Sequence, residues 1–417
     1  MATPVFCCGF ECGLGPVNVL GHFRNIGSTA VAISTTTFRS GLRSLRANPS
    51  ASDAIATCSW SAANELRHVG RVYVYFATAL PDANTLLVFT GATGTPSGPA
   101  VFFKQSDSKI YAAVAAGVSG AATLGATGVT VTTGTWYRID FHFLISTAGN
   151  DTCDVKVDGT DCGQATAAGS GSGVGDITIG VVGDQPDRTV SADVFFDDFL
   201  LSATALDYPL GAGYALSYIP NADGDGSSAN RHYGLGANEV ERTLTGTDIT
   251  NTTTDAYTLV DERPLPTTEV DFINWKTNGT AGDYVEIAYE DSVESVAPRT
   301  VEAIAAHHDA GGAGTNAWAL TLRESGGGTT GDIFNSTTNV GATITYKRAH
   351  FATVPGTSNA WTTANFNALR SRFIATDASP DVYLDALMLE AEYAEVAAAG
   401  FVRSLISRQA VKRAAFY

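Results

Sequence analysis

The chain has 417 residues, which at roughly 100–200 residues per domain suggests two or three domains. Charged residues make up only 16%, hydrophobic residues 44%, and 43 glycines fall in short clusters, a composition suited to many turns between short strands. The formal net charge of −17 excludes a nucleic-acid partner, because a phosphate-binding surface needs clustered Lys and Arg.

No apolar run approaches the ~20 residues of a membrane span. The start, Met1-Ala-Thr-Pro-Val-Phe-Cys-Cys, lacks the basic region and long apolar stretch of a secretory signal, so the expectation is synthesis in a cytosol. The six cysteines are Cys7, Cys8, Cys12, Cys58, Cys153 and Cys162, with no His at zinc-ligand spacing. Cys153 and Cys162 flank an Asp-Gly turn, but their register does not establish a bond. Buried free thiols are the preferred reading.

Taken in order, Phe6–Gly13 reads as a short apolar strand closed by glycines, with Glu11 inside it. Strands follow at Val69–Ala77, Leu86–Thr90, Ala100–Lys104 and Ile110–Val118. From Gly134, alternation places Tyr137, Ile139, Phe141 and Phe143 on one face. Asp158-Gly159 suits the positive φ of a type I′ hairpin turn. Val194–Leu201 is a strand with Asp197 and Asp198 set in an otherwise apolar run. A regular strand would point the two to opposite faces, so at least one needs a partner. The many short strands and scant helical period predict a two-sheet antiparallel sandwich.

Gly9-Phe-Glu, Ser40-Gly-Leu-Arg-Ser-Leu, Gly134-Thr-Trp-Tyr-Arg-Ile-Asp, Val155-Lys-Val-Asp-Gly and Phe195-Phe-Asp-Asp-Phe-Leu occur in that order. Together they resemble the concanavalin A-like, laminin G-like jelly roll over about residues 5–205. The resemblance implies that the first and last strands are sheet neighbours. It also implies that Glu11 with Asp197 or Asp198 could share a structural calcium, which wants several oxygen ligands. The alternative is that Asp197 and Asp198 cap neighbouring backbone or pair with Arg43 or Arg46.

The second half predicts strands at Asp283–Tyr289, Val301–His307, Ala317–Arg323, Ala342–Lys347 and Asp381–Glu390, with Asp385 placed much as Asp197 is. A helical turn or two is expected over Asn365–Phe373, with Phe366, Leu369 and Phe373 on one side. Pro220-Asn-Ala-Asp-Gly224, Val260-Asp-Glu-Arg-Pro264 and then Trp361-Thr362, following a laminin G-like domain, resemble segments recurrent in tailed-bacteriophage virion proteins, where the Trp-Thr opens a short helix. Asn221, Asp223, Asp225 and Gly226 match the first half of an EF-hand loop, but the twelfth position is His232, so a turn capped by its own side chains is preferred.

The fold-class expectation is all-β: two tandem antiparallel sandwiches of jelly-roll type, at 1–206 and 207–396, and a basic arm at 397–417. The arm carries Phe401, Arg403, Arg408, Lys412, Arg413 and Tyr417, with no acid, and is expected to dock on an acidic neighbour.

No catalytic residue is assigned. Glu269-Val-Asp271-Phe-Ile-Asn274 lacks the last carboxylate of a glucanase strand motif. Glu286, Glu290, Asp291 and Glu294 suit solvated positions, and His307-His308-Asp309 has no nucleophile motif beside it. The expected function is a non-enzymatic virion structural protein, head-decorating or tail-associated, with other virion proteins and copies of itself as partners. The alternative is binding to a host-surface glycan through Trp60, Trp136 or Tyr111, with Trp136 expected in the core. The expected location is the virion.

Overall fold

The structure is a computed structural model that describes residues 4–14, 23–25, 30–50, 53–61, 65–90, 98–115, 122–169, 173–184, 189–223, 273–275, 284–309, 318–324, 330–336, 344–375 and 382–395. The chain divides into two compact units, Met1–Leu216 with Ala394–Tyr417, and Ser217–Tyr393.

The first unit begins with β1 (Pro4–Cys8), β2 (Phe23–Asn25), β3 (Val31–Ser34), β4 (Ser44–Ala47), β5 (Ala54–Ser59) and β6 (Arg67–Phe76). It continues with β7 (Thr85–Thr90), β8 (Gly98–Lys104), β9 (Lys109–Ala115), β10 (Thr123–Leu124), β11 (Val129–Thr130) and β12 (Trp136–Leu144). Then come β13 (Asn150–Val157), β14 (Thr160–Asp161), β15 (Ala165–Ala168), β16 (Asp176–Gly183) and β17 (Val194–Ser202). One sheet runs β14-β13-β12-β6-β17-β4-β3, with β1 also on β17 and β15 on β13. The other runs β10-β9-β8-β7-β16-β5-β2, with β11 on β9.

Alternation builds the core between these sheets. Ile139, Phe141 and Phe143 of β12 are fully buried, as are Val72, Val74 and Phe76 of β6. Phe199 of β17 meets Phe6 and Phe23 at ring-centroid distances of 5.8 and 5.1 Å. The opening and closing strands are neighbours, Cys8 lying opposite Phe199, as the jelly-roll resemblance implied. At the β13–β14 turn Asp158 and Gly159 take φ of 49° and 85°, as the hairpin reading required.

The strand β18 (Gly213–Tyr218) leads from the first unit into the second, which holds β19 (Pro220–Asp223), β20 (Ile273–Trp275), β21 (Tyr284–Tyr289) and β22 (Thr300–Asp309). It also holds β23 (Trp318–Glu324), β24 (Thr330–Ser336), β25 (Thr345–Phe351), α1 (Thr363–Asn367), β26 (Leu369–Ala375) and β27 (Val382–Ala394). In one sheet β22 lies between β27 and β25, and β20 pairs β27; the other runs β19-β21-β26-β23-β24. All pairings with a determined register are antiparallel, as expected for tandem sandwiches.

The helix expected over Asn365–Phe373 is shorter than expected. Thr362 caps α1 by accepting from the Asn365 N–H at 3.1 Å, and the helix ends at Asn367. Beyond it Leu369, Ser371 and Phe373 recur at every second position and are buried from a strand, so period two wins over the helical spacing of Phe366, Leu369 and Phe373. Among the described residues no helix is long and apolar enough to cross a membrane.

Candidate functional site: carboxylates gathered on one loop

The acids singled out in the sequence lie on the opening and closing segments of the first sandwich. Glu11, Asp197 and Asp198 are all fully buried. The strand β17 is not regular where the two aspartates stand. Its register with β6 shifts between Asp197 and Leu200, and Asp198 takes φ 51°. This bulge breaks the alternation, so the expectation that the two carboxylates face opposite sides fails.

Both reach the segment between β3 and β4. Asp197 Oδ2 accepts from the backbone N–H groups of Arg39 (2.7 Å) and Ser40 (3.2 Å), and Oδ1 accepts from the N–H of Asp198 (2.8 Å). Asp198 Oδ1 accepts from Ser40 Oγ (2.5 Å) and the Ala215 N–H (2.7 Å), and Oδ2 from Arg39 Nη1 (2.7 Å). Glu11 Oε1 accepts from the N–H groups of Leu42 and Arg43. Three carboxylates therefore converge on Arg39–Arg43. Between them Gly41 has φ +62°, and a Cβ there would come within 2.1 Å of Glu11 Oε1, so the loop needs glycine at this position.

Burial, and then the charge of Asp198, push the Asp197 carboxyl well above the usual carboxylate range, against the pull of its backbone donors. Burial works against the Arg39 charge, but Asp198, Tyr73 and Glu395 together hold the guanidinium above its ordinary value. Arg39 also donates to Gly213 O (3.0 Å) and Glu395 Oε2 (2.6 Å) and lies 3.5 Å from the Tyr73 ring centroid. The residues as placed do not fit a calcium cage. Calcium takes several oxygen ligands, whereas every carboxylate oxygen of Asp197 and Asp198 faces an N–H or O–H donor, and Arg39 supplies a positive charge beside them. Asp197 and Asp198 cap backbone, as the alternative had it, but pair with neither Arg43 nor Arg46; Arg46 pairs with Asp193 at 2.7 Å.

The aromatic candidates separate. Trp60 donates Nε1–H to buried His68 Nδ1 (3.1 Å), and burial lowers His68 to about 4. Tyr111 donates to Asp107 Oδ2 (2.7 Å), a bond that, with burial, raises the phenol to about 12. Trp136 is not in the core. Opposite in parity to Ile139, it lies half-buried on the outer face, 5.2 Å from the Tyr75 ring. Tyr75 in turn meets Phe195 at 6.0 Å. The arm residues Phe401, Arg403, Arg408, Lys412, Arg413 and Tyr417, and the segment Val260–Pro264, lie outside the described residues.

Sequence reasoning missed a second cluster, in the second unit. Glu302 of β22 lies opposite both Glu390 of β27 and His350 of β25. Arg348 bridges the two acids, Nε at 3.3 Å from Glu302 Oε2 and Nη2 at 2.7 Å from Glu390 Oε2, and His350 Nδ1 lies 2.6 Å from Glu302 Oε1. Both carboxylates are buried. A carboxylate couple beside an imidazole has the residue types of acid–base chemistry, here held in an ion network. The signal was present as charges at every second position, Glu390 and Glu392 in β27 and Arg348 and His350 in β25.

No family model matches this chain, and no curated protein does. Solved structures do match it. The tandem CBM22 domains of Paenibacillus barcinonensis Xyn10C are 11% identical, cover 93% of this chain and 97% of their own, and superpose with a TM-score of 0.25. An endo-β-1,4-glucuronan lyase from the fungus Trichoderma reesei is 10% identical over 48% of this chain and 96% of its own, with a TM-score of 0.35. A carbohydrate esterase from the Shiga toxin-encoding bacteriophage phi24B is 12% identical over 48% of this chain and 98% of its own, with a TM-score of 0.34. At these values no ligand or activity passes from them to this chain. The expectation that the chain is not an enzyme is nevertheless withdrawn. Its ground was that no acid couple was visible, and Glu302 and Glu390, paired across β22 and β27, are such a couple.

Proposed function

We propose that this protein is a structural component of a tailed-bacteriophage particle, head-decorating or tail-associated, that assembles through contacts with other virion proteins and with copies of itself. The observation that carries the reading is the joint at Arg39–Arg43. The conspicuous acids of the closing strand are spent on holding two distant segments together, which supports a structural use of these acids. The Trp361-Thr362 pair adds support, since Thr362 opens a short helix as in the virion segments that the sequence resembles. Repeated particle positions favour symmetric copies with identical interfaces. Mass spectrometry of gradient-purified particles tests this: the chain is expected at a fixed copy number per particle, and its absence from the particle band would refute the reading.

A second reading, binding of a host-surface glycan, is favoured by the outer face of the first sheet. There Trp136 and Tyr75, half-buried on adjacent strands, offer aromatic surface for sugar C–H faces. A glycan array probed with the full chain tests it, and a Trp136→Ala variant should lose the signal.

A further inference from the structure

Five neighbouring strands of the first sheet, in the order β12-β6-β17-β4-β3, carry one row of side chains across their outer face. The register sets Trp136 opposite Tyr75, Tyr75 opposite Phe195, Phe195 opposite Arg46, and Arg46 opposite Ala32. Directly opposite residues share a face, so all five point away from the core side chains Val72, Val74 and Phe76. The row is aromatic at one end and charged at the other.

Its members differ in what they offer. Phe195 is only 4% exposed. It meets Tyr75 edge-on at 6.0 Å, and the Arg46 guanidinium carbon lies 5.5 Å from its ring centroid. Phe195 therefore buttresses its neighbours more than it presents a surface. Trp136 and Tyr75 are half-buried, with ring centroids 5.2 Å apart and planes tilted by 38°. The register of β12 with β13 begins at Ile139, so Trp136 stands past the last paired residue, at the rim.

The cations of this face are already matched. Arg46 gives Asp193 two parallel hydrogen bonds, Nε to Oδ1 at 2.7 Å and Nη2 to Oδ2 at 2.9 Å. In the next row Arg138 lies opposite Tyr73 and donates Nε to Oδ2 of fully buried Asp140 at 2.8 Å. An anionic ligand would have to compete with Asp193 or Asp140 for its guanidinium, and loosening a buried pair is costly. The net charge of −17 adds repulsion at longer range. A ligand without charge meets neither obstacle. The Arg46 and Asp193 side chains are 41% and 18% exposed, so the pair presents polar edges to hydroxyl groups.

Strand spacing sets the scale of the ligand. Neighbouring strands lie about 4.8 Å apart, close to the length of one pyranose unit. A chain of equatorially linked sugars is extended. Laid across the strands, it sets one unit on Trp136, the next on Tyr75, a third over Phe195 and a fourth beside Arg46 and Asp193.

We propose that the row from Trp136 to Arg46 binds a neutral, β-1,4-linked oligosaccharide running across the strands. The inference rests on the glycan-binding reading and adds the class, direction and length of the ligand.

The test is calorimetric titration of the full chain with β-1,4-linked glucose and mannose oligosaccharides of increasing length, and with β-1,4-linked glucuronate oligosaccharides of the same lengths. A neutral series is expected to bind, with affinity rising up to about four units and then levelling. The acidic series should bind about tenfold more weakly. Trp136→Ala and Tyr75→Ala should each weaken the neutral ligand about tenfold with unchanged circular dichroism, whereas Tyr75→Phe, which keeps the ring, should not. Acidic chains bound as well as neutral ones, an affinity equal at every length, or binding insensitive to Trp136→Ala would overturn the inference and leave the glycan reading standing. So would failure of both neutral series while a glycan array shows another sugar bound. Failure of every series here, together with a blank array, would overturn both. If the alanine variants do not fold, added salt takes their place: binding of the neutral chain that salt weakens would count against the site.

Discussion

Arg39 and Asp198 are 159 positions apart in the chain, yet Nη1 of one lies 2.7 Å from Oδ2 of the other. The carboxylate is wholly buried and the guanidinium 14% exposed. Truncating the cation would remove the ion-pair partner of a buried carboxylate. Arg39→Ala should therefore cost about 3–5 kcal/mol of stability, measured by urea denaturation. A loss within the scatter of a surface substitution would show that the joint is not structural.

The buried imidazole of His68 sets a pH dependence. Burial lowers its folded value to about 4 from an ordinary 6.5, so the unfolded chain binds the extra proton first. Its contribution is fully present above 6.5 and is lost as pH falls towards 4. The loss is on the order of 3 kcal/mol. Asp197, whose folded value is raised, acts in the opposite sense as pH falls, so the comparison must be between variants. His68→Gln should flatten the stability profile between pH 6.5 and 4 relative to the parent. Parallel profiles would mean that the imidazole is not held neutral.

All six cysteines are buried and free, and burial pushes the Cys162 thiol up to about 12. Thiolate is the reactive form, so a thiol reagent should label the native protein very slowly. In denaturant all six should react. Fast labelling of the native chain, or fewer thiols after unfolding, would contradict this arrangement.

The basic arm remains a proposal. Removing everything after Gly400 should release the protein from the particle while leaving both sandwiches folded, as read by sedimentation and circular dichroism. Unchanged occupancy of the truncated chain would eliminate the docking role of Arg403, Arg408, Lys412 and Arg413.

Much of the fold was legible because alternation is a local signal. Ile139, Phe141 and Phe143 announced their shared face, and Asp158-Gly159 announced its turn. The joint was only half legible. Two acids in an apolar strand demanded a partner, but the bulge at Asp198, which turns both toward one loop, is a backbone event that no residue pattern marks. Arg39 was missed because its partners are far away in sequence. At Leu369–Phe373 two periods fitted the same residues, and pairing of β26 with β21 and β23 decided between them. Glu302 and Glu390 were not recognised as a couple because their pairing exists only in the register of β22 with β27.

The central claim is that these sandwiches serve as parts of a particle. Cryo-electron microscopy of gradient-purified particles, at a resolution that traces strands, tests it most directly. The account predicts density for both sandwiches at symmetry-related positions of the head or tail. Particles lacking that density, with the chain recovered only as a free monomer, would contradict it.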